Sequence, residues 1–375
     1  MKIRVARPEE LSGSELEVWR TLQRAGDELV SPFLCPEFTL AVGRHRDDVR
    51  VAVIEDAGQL AGFLPFERHP RGVGKPVGAG LTDAQGAVLA PGFTPDPRLL
   101  LKGAGLSVWE FDHLVAGQFA DAHTSRHASP IMDLRAGYEA YAAEVSRESG
   151  KTYRSTLAKQ RKLGRDFGEV THRYGITDVE QLRVLLRWKS EQYRRTGRSD
   201  RFAKPWIVAL VEDLLATQTP GFAGVLDLVY VAGVPVVGHF GLRSENVLAG
   251  WFPAYDPAFS RYSPGLVHHL AMAREAAAHG IQVIDLGRGA KEYKDKLKTG
   301  ELVVAEGRLA RRTPAAALHW LGSAPVRTAR NTVLAHSALR VPADRLLKRY
   351  GRLRGSLSRL TGDTGSTGTA RTGRA

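Results

Sequence analysis

The regular order of elements between residues 222 and 310 constrains the fold more than any other feature of the chain. Apolar runs on either side of Ala232 and Gly233 predict a β-hairpin, and "NVLAGWFPAYD" predicts a third strand. A long Ala-rich helix, a short buried strand in "IQVIDLG", a short helix and a last strand in "ELVVAEGRLARR" follow. This order predicts an α/β fold with a mixed sheet.

The rest of the chain suggests a second, similar unit. The first 145 or so residues carry shorter and less regular helix and strand patterns, including a strand–turn–strand around Asp56 to Gly58. A basic helix, "YRSTLAKQRKLGRDFG", opens the second unit, and Asp178 and Pro205 begin two further helices. We therefore expect an N-terminal domain over 1–148 and a C-terminal domain over 149–310.

The positive charge is concentrated in the tail. The net charge is +13, yet residues 311–375 hold thirteen Lys and Arg against two acids, a balance of +11. Residues 311–360 are predicted to form a basic helical extension, with the apolar seam Leu346, Tyr350, Leu353, Leu357 and Leu360. Residues 361–375 are of low complexity and are expected to be disordered. Nucleic acid or an anionic membrane surface is thus a hypothesis about the tail.

Targeting and redox features of the sequence are few. No apolar run is long enough to span a bilayer, and the start "MKIRVARPEEL" does not read as a secretory signal. Cys35 is the only cysteine, so an intramolecular disulfide is impossible, and we expect it to be structural. A cytoplasmic location follows as the default, with the inner face of the membrane as a peripheral alternative.

The segment "AYDPAFSRYSPGLVHHLAMAREAAAHG" has two interpretations. Ser263 suits the N-cap of a helix, Pro264 its first position and Gly280 its end, so simple helix initiation explains the pattern. The same helix start would also present the N–H groups of Gly265, Leu266 and Val267 to an anion. The pattern alone leaves both interpretations open.

Three stretches together resemble a known family. "WKSEQYRRTGRSDRFAKPW", "WFPAYDPAFSRYSPGLVHHLAMA" and "IDLGRGAKEYKDKLKTG" resemble the CelD/BcsL-type acetyltransferases of the GNAT superfamily, named for an association with cellulose biosynthesis, and more distantly the FemAB-type peptidyltransferases. The resemblance covers about residues 150 to 310. It implies tandem GNAT-like acyltransferase domains in a FemAB-like arrangement, the first degenerate and the second keeping the donor site.

The resemblance also implies where the donor binds. In GNAT enzymes coenzyme A lays its pyrophosphate on the helix that follows the fourth strand, and its pantetheine arm enters where the fourth and fifth strands separate. By analogy Ser263, Pro264, Gly265 and Leu266 would hold the pyrophosphate of an acyl-CoA. One departure is that "RYSPG" has a single glycine where most GNAT enzymes have a Gly-rich phosphate loop.

Acyl transfer from a thioester needs a deprotonated nucleophile and a polarised carbonyl. A backbone N–H near Trp251 or Phe252 is expected to hold the carbonyl oxygen. Asp285, at the end of a strand, is the candidate base or orienting carboxylate, unless it only caps the following turn. Asp256 is a second candidate, with an Asx-turn before Pro257 as its structural explanation.

The remaining candidates follow the fifth strand. Tyr293 is expected to protonate the leaving thiolate, Lys294 to neutralise a phosphate or carbonyl, and Arg288 to contact an anion. Surface positions on a helix are the competing interpretation for Tyr293 and Lys294. His239 alternates with apolar residues, which is more typical of a hydrogen-bonded core histidine than of a base.

Other chemistries lack their motifs. The sequence has no Gly-x-Ser-x-Gly elbow, and neither "GRGAK" nor "RGVGKPVGAG" has the spacing of a nucleotide-binding loop. His268 and His269 are adjacent and face different directions on a helix, and no Cys/His cluster has zinc spacing, so no metal is expected. In the first unit, Asp83 and Gln85 of "TDAQG" are the polar candidates.

The leading hypothesis is an acyl-CoA-dependent N- or O-acyltransferase. Its acceptor would be a sugar, amino sugar or cell-envelope or exopolysaccharide precursor bound between the two units. One alternative is a FemAB-like transferase that uses aminoacyl-tRNA, with basic segments contacting phosphates. The other is a non-catalytic scaffold whose tail contacts a membrane or a partner protein. The oligomeric state is not predicted.

Overall fold

The computed structural model describes residues 1–78, 80–289 and 291–322. The apolar seam of the predicted basic extension and the predicted disordered tail lie outside this part of the chain. The helices are α1 Gly13–Ala25, α2 Pro36–His45, α3 Pro97–Gly103, α4 Tyr138–Glu148, α5 Gly150–Phe167, α6 Val179–Arg195, α7 Pro205–Ala216, α8 Pro264–Ala278 and α9 Glu292–Leu297, and residues 314–322 are also helical. In the described residues, no helix combines the length and apolar character that crossing a membrane would require.

The strands form one mixed sheet. They are β1 Lys2–Ala6, β2 Val49–Asp56, β3 Gln59–His69, β4 Val73–Lys75, β5 Val88–Leu89, β6 Val108–Val115, β7 His123–Asp133, β8 Val170–Ile176, β9 Gln218–Thr219, β10 Phe222–Val231, β11 Val234–Arg243, β12 Val247–Tyr255, β13 Val283–Asp285 and β14 Gly300–Ala310. Their order is β1-β2-β3-β4-β6-β14-β7-β13-β12-β11-β10-β8, with β5 beside β3 and β9 beside β10. The predicted α/β class with a mixed sheet is confirmed.

The sheet joins the two halves of the chain. β14, from the end of the second half, lies between β6 and β7 of the first half and pairs antiparallel with both. β7 in turn pairs with β13 of the second half. The boundary expected at 148/149 falls between α4 and α5, but the sheet itself crosses it, so the two halves share strands.

Local turn chemistry explains the two hairpins that the sequence indicates. Ala232 and Gly233 connect β10 to β11 with φ of 47° and 79°, and Ala57 and Gly58 connect β2 to β3 with φ of 49° and 83°. Two successive residues with positive φ are typical of the turns that match the twist of paired strands. Both predicted hairpins are therefore present.

The halves also share a hydrophobic core. On one face of the sheet, α6 and α7 pack on β10–β12 together with Phe33 and Phe38 from the first half. The ring of Trp251 on β12 lies 5.6 Å from that of Phe33 and 6.2 Å from that of Phe38. On the other face, α4 and α8 pack against β12 and β13. These contacts fix the first half against the strands that form the site described next.

Candidate functional site

A cleft opens where β12 and β13 separate. The two strands pair in parallel only from Val247 to Ala249, opposite Val283 to Asp285, and β12 then continues alone beside β11. The cavity that begins there has a volume of about 350 Å³. It is lined by residues of both halves: Gly80, Leu81, Asp83, Asp112, His113, Lys189, Tyr193, Arg198, Arg201, His239, Gly250, Trp251, Phe252, Pro253, His269, Met272, Leu286, Gly287, Arg288, Lys291, Tyr293 and Lys294.

A β-bulge shapes the floor of the cleft. Gly241 pairs with Gly250 and Phe240 with Phe252, so Trp251 is the extra residue of β12. The N–H of Trp251 donates to His239 Nε2 at 3.0 Å, and its indole Nε1 donates to the carbonyl of Leu81 at 2.7 Å. The expectation of a free Trp251 N–H for a thioester carbonyl is therefore wrong in this conformation, because His239 accepts that hydrogen bond.

Phe252, the other predicted contact for the carbonyl, also lines the cleft. Its ring stacks on that of Trp251 at 4.5 Å and meets that of Phe202 edge-on at 5.0 Å. The side chain thus belongs to an aromatic wall.

Asp285 lies behind the cleft and is held from two sides. Its Oδ1 accepts from Ser129 Oγ at 2.7 Å and from the N–H of Gly287 at 2.9 Å. Burial raises the pKa of this carboxyl, while Ser129 and the Gly287 N–H oppose the shift. The bond to Gly287 is the turn-capping interaction weighed as the alternative to catalysis, so an orienting role fits better than that of a free base.

Asp83 brings a carboxylate of the first half into the cleft. A Cβ placed on Gly287 would lie 3.1 Å from Asp83 Oδ2, which shows how closely the carboxylate approaches the β13–α9 loop. His113 Nε2 lies 3.8 Å from Asp83 Oδ1. Burial, opposed by His113 and reinforced by Asp285, raises the pKa of Asp83 to about 6. A carboxyl that titrates close to neutral pH suits proton transfer.

Gln85, the other polar candidate of the first half, is structural. Its Nε2 donates to Asp112 Oδ1 at 2.7 Å, and its Oε1 accepts from the N–H groups of Asp112 and His113 at 2.9 and 3.0 Å. The amide therefore orients the strand that carries His113.

Lys294 and Tyr293 lie in the cleft, as predicted, and Lys294 is not a surface residue. The ammonium of Lys294 is buried and donates to the carbonyl of Gly287 at 2.6 Å. Burial and the nearby Lys291 lower its pKa. Tyr293 packs 5.2 Å from the ring of His269, and burial raises the pKa of its phenol to about 12. At neutral pH the phenol is therefore a hydrogen-bond donor.

Arg288 reaches the cleft wall but has partners of its own. Its Nη1 donates to the carbonyl of Asp112 at 2.6 Å, and its Nη2 lies 3.2 Å from Glu306 Oε2 on β14. The guanidinium thus ties the β13–α9 loop to the first half, which argues against the predicted role as an anion contact.

Asp256 is not a cleft residue. It caps the short helical turn Pro257–Tyr262, with Oδ1 accepting from the N–H of Ala258 at 2.9 Å. The structural explanation, an Asx-turn before Pro257, accounts for this residue.

Ser263 is the N-cap residue of α8, as predicted, but its side chain does not cap the helix. Ser263 has a left-handed backbone with φ of 49°, and its side chain makes no cap hydrogen bond. Its hydroxyl instead accepts from Lys159 Nζ of α5 at 2.7 Å. The N–H groups of Leu266 and Val267 donate to the carbonyl of Ser263 at 3.0 and 3.3 Å. These two groups were expected to be free for an anion, and they are not.

The helix start nevertheless suits an anion. Gly265 has open space where a Cβ would be, so a ligand can approach its backbone. The positive end of the helix dipole and the ammonium of Lys159 lie together there. One turn further along α8, His269 Nδ1 bonds to the carbonyl of Gly265 and its ring lines the cleft. The helix start and the cleft are thus neighbouring sites.

A buried Asp–His cluster lies beneath the cleft. Asp227 on β10 accepts from His172 Nε2 at 3.3 Å, from His239 Nδ1 at 3.2 Å and from His268 Nε2. Burial would raise the pKa of Asp227, but the three imidazoles hold it well below its usual value. Since Nδ1 of His239 donates to Asp227, its Nε2 is free to accept from Trp251. The interpretation of His239 as a hydrogen-bonded core residue fits, although its ring also lines the cleft.

Two groups of the described residues have metal-compatible spacing. The ligand atoms of His172, Asp227 and His268 lie within 4.8 Å of one another, as do those of Asp48, Glu67 and His69. The first group comes from β8, β10 and α8, which explains why no local motif indicated it. In the second, Arg46 bridges Asp48 and Glu67. His268 and His269 have different partners, Asp227 and the carbonyl of Gly265 respectively.

Sequence reasoning missed four cations of the site, namely Lys189, Arg198, Arg201 and Lys291. Lys189 on α6 is buried and donates to the carbonyl of Pro253 at 2.8 Å, and Arg198 and Lys291 lie nearby. The only sequence feature that could have indicated them is the basic stretch from α6 onward, and a solvent-exposed helix face explains that stretch equally well.

Cys35 is buried, and burial raises the pKa of its thiol, in agreement with a structural role.

Comparison with known proteins agrees with this geometry. Residues 151–295 match a family model described as an acetyltransferase (GNAT) domain. Comparison with curated proteins found no match. Among solved structures, FemX aligns with a TM-score of 0.57 and 10% identity, over 85% of this chain and 99% of that one.

A second solved structure supports the same fold. The C-terminal domain of a lysylphosphatidylglycerol synthetase from Agrobacterium fabrum aligns with a TM-score of 0.50 and 13% identity, over 84% of this chain and 96% of that one. A tandem GNAT protein from the clavulanic acid biosynthesis pathway aligns over 83% of this chain and all of that one, with a TM-score of 0.45 and 11% identity. The fold is thus shared with FemX and with the synthetase domain, and the match of residues 151–295 to the acetyltransferase (GNAT) domain model indicates that the protein is an acyltransferase.

Proposed function

We propose that the protein transfers an acyl group from acyl-CoA to an amine or hydroxyl of an acceptor bound between its two halves. The observation that carries the proposal is the separation of β12 and β13 beside α8, with titratable side chains of both halves facing the gap. A thioester arm entering there would place its carbonyl beside these groups.

The donor diphosphate would lie at the start of α8. Gly265 leaves room for a phosphate, and Lys159 supplies a cation beside the helix N-terminus. His269 lies between this position and the cleft, because it bonds to the carbonyl of Gly265 and lines the cavity. Burial lowers the pKa of His269 to about 3, so its ring is neutral and adds no charge along the path of the pantetheine arm.

In this reaction Asp83 is the general base. Its carboxylate takes a proton from the acceptor amine or hydroxyl, whose lone pair attacks the thioester carbonyl carbon. The C–S bond then breaks, and the thiolate of CoA leaves and takes a proton from the Tyr293 phenol, while the proton held by Asp83 returns through solvent to the phenolate. The ammonium of Lys294 stabilises negative charge on the carbonyl oxygen. Trp251 can contribute its N–H only if His239 gives up that hydrogen bond.

The acceptor class is the finer part of the proposal. A sugar, amino sugar or cell-envelope or exopolysaccharide precursor is supported by the resemblance of three motifs to CelD/BcsL-type acetyltransferases. We also propose that the reaction takes place in the cytoplasm, as expected from the sequence. Contact of the basic extension with an anionic membrane surface is tested by co-sedimentation with liposomes, with and without residues 325–375.

A FemAB-like reaction with aminoacyl-tRNA is the second candidate. It is favoured by the exposed cationic face of α5, which carries Lys151, Arg154, Arg161, Lys162 and Arg165. Such binding would weaken steeply with salt. Retardation of tRNA on a gel without any binding of CoA would support it. A non-catalytic scaffold is less well supported, because it gives no reason for Asp83 and Lys294 to meet in a cleft.

Isothermal titration of the full chain with acetyl-CoA and CoA tests the proposal. We expect saturable binding of both, weakened at least about fivefold by Lys159→Ala, a loss of about 1 kcal/mol. Lys151→Ala is the matched control, since it removes an exposed lysine from the other end of the same helix. Absence of CoA binding by the wild-type protein would overturn the proposed function.

A further inference from the structure

The cleft contains a cluster of cations that the proposed reaction does not use. Lys189, Arg198, Arg201 and Lys291, here called the cationic cluster, line the same cavity of about 350 Å³. Among the ion pairs that the described residues form, none involves a member of this cluster. Lys189 donates to the carbonyl of Pro253, and Arg201 Nη1 to the carbonyl of Gly80 at 2.9 Å.

Like charges held together without counter-ions cost free energy. Burial, followed by Lys291, Arg198 and Arg201, lowers the pKa of Lys189 to about 7, and burial and Arg198 lower that of Lys291. Asp83 attracts Arg201 and so offsets part of this repulsion, but both carboxylates of the cleft also have other partners. Asp83 lies beside His113, and Asp112 Oδ1 lies 3.0 Å from His113 Nδ1 and accepts from Gln85. An anionic ligand would offset the repulsion.

The donor does not explain the cluster. The diphosphate of CoA is placed at the start of α8, where Lys159 of α5 supplies the cation. The cationic cluster belongs to different elements: α6, the segment that follows it and the loop before α9. We propose that the cationic cluster binds a phosphate group of the acceptor, so that the acyl acceptor is a phosphorylated molecule such as a sugar phosphate or a nucleoside-diphosphate-linked sugar. This inference rests on the proposed function of the cleft.

Phosphate fits these side chains better than a single carboxylate. A phosphate monoester or diphosphate carries about two negative charges and several strong acceptor oxygens, which suits several cations around one point. Guanidinium groups such as those of Arg198 and Arg201 bind phosphate through two parallel hydrogen bonds. The acceptor hydroxyl or amine would then reach toward Asp83, which lines the same cleft.

The test measures pyrophosphate binding to the full chain saturated with CoA, by isothermal titration, with acetate as the monocarboxylate comparison. We expect pyrophosphate to bind and acetate not to bind. In Arg198→Gln/Lys291→Gln, pyrophosphate affinity should fall at least about tenfold, while CoA affinity changes less than about twofold. Neither residue belongs to the buried core, so the variant is expected to fold.

Arg194→Gln/Arg195→Gln is the matched control, because it removes two exposed cations from the last turn of α6, outside the cleft lining. It should leave pyrophosphate affinity unchanged. Absence of pyrophosphate binding by the CoA-saturated wild type overturns the inference. If Arg198→Gln/Lys291→Gln lowers CoA affinity as much as pyrophosphate affinity, the inference is also overturned, because the cluster would then bind the donor. Failure of CoA itself to bind would instead count against the proposed function.

Discussion

At the residue scale, the site depends on two aspartates with opposite electrostatics. Asp83 lines the cleft, where burial raises its pKa to about 6. Asp227 is buried under three imidazoles, and its pKa is held well below its usual value. The first is therefore suited to accept a proton, and the second to remain an anion that fixes its neighbours.

We expect Asp83→Asn to lower kcat/KM for acyl transfer at least about a hundredfold, the usual contribution of a general base. In the wild type, the rate should fall as the pH drops through about 6, because the protonated carboxyl cannot accept a proton. Since the folded protein disfavours this charge, the variant should be at least as stable as the wild type at pH 7. Acyl-transfer rates at pH 5–8 test the expected pH dependence, and thermal unfolding tests the expected stability of the variant. Asp121→Asn, at an exposed position, is the control. Full activity of Asp83→Asn would rule out the assigned role.

For Asp227→Asn we expect a loss of about 3 kcal/mol in the free energy of unfolding at pH 7, because two buried imidazoles and the half-buried one of His172 lose a charged partner. The pKa of Asp227 is lowered on folding, so its contribution is complete above the unfolded pKa of about 3.9 and disappears as the pH falls through the lower folded value. Urea denaturation of the variant beside Asp121→Asn tests this. Equal stability of the two variants would contradict it.

At the element scale, the bulge in β12 and the glycines around it set the floor of the cleft. Gly241 and Gly250 face each other across β11 and β12, and the ring of His239 fills the space beside them. A Cβ on Gly241 would lie 2.5 Å from His239 Cε1 and 2.5 Å from the carbonyl oxygen of Ala249. Only glycine allows the ring to lie there and accept the Trp251 N–H.

We expect Gly241→Ala to cost about 1–3 kcal/mol in the free energy of unfolding, because the methyl group must displace either the imidazole or the strand. CoA binding should weaken as well, since the floor of the cleft moves. Gly221→Ala is the matched control, as a Cβ there meets no atom within 4 Å. Urea denaturation and CoA titration of both variants test the two expectations. Wild-type stability of Gly241→Ala would show that the bulge tolerates a side chain.

The sequence predicted the helices and hairpins better than it predicted which distant residues contact one another. The hairpins at Ala232–Gly233 and Ala57–Gly58 follow from residues adjacent in the chain, and so do the helices capped by Asp178 and begun by Pro205. Ser263 occupies the predicted N-cap position, but its side chain makes no capping bond, and its hydroxyl accepts from a lysine more than a hundred residues away. The cluster around Asp227 and the approach of Asp83 to Lys294 also depend on contacts between distant segments, which no local pattern encodes.

At the scale of the whole molecule, the two halves are joined by exchanged strands. β14 follows the second half in sequence but lies between β6 and β7 of the first, and Asp83 of the first half completes the cleft of the second. The sequence predicted two similar units from their element order. It could not predict the insertion of β14, because strand pairing across nearly two hundred residues leaves no periodic signal.

This arrangement predicts how the chain tolerates shortening. A protein ending at residue 322 keeps every strand that the structure describes and should unfold cooperatively and bind CoA with the affinity of the full chain. A protein ending at residue 299 lacks β14, which exposes the edges of β6 and β7, and we expect it to aggregate or to lose cooperative unfolding. Residues 1–148 alone lack both β13 and β14 and should fail in the same way. Solubility, thermal unfolding and CoA titration of the three proteins test the prediction. A cooperatively folded 1–148 fragment would contradict it and restore the simpler picture of two independent domains.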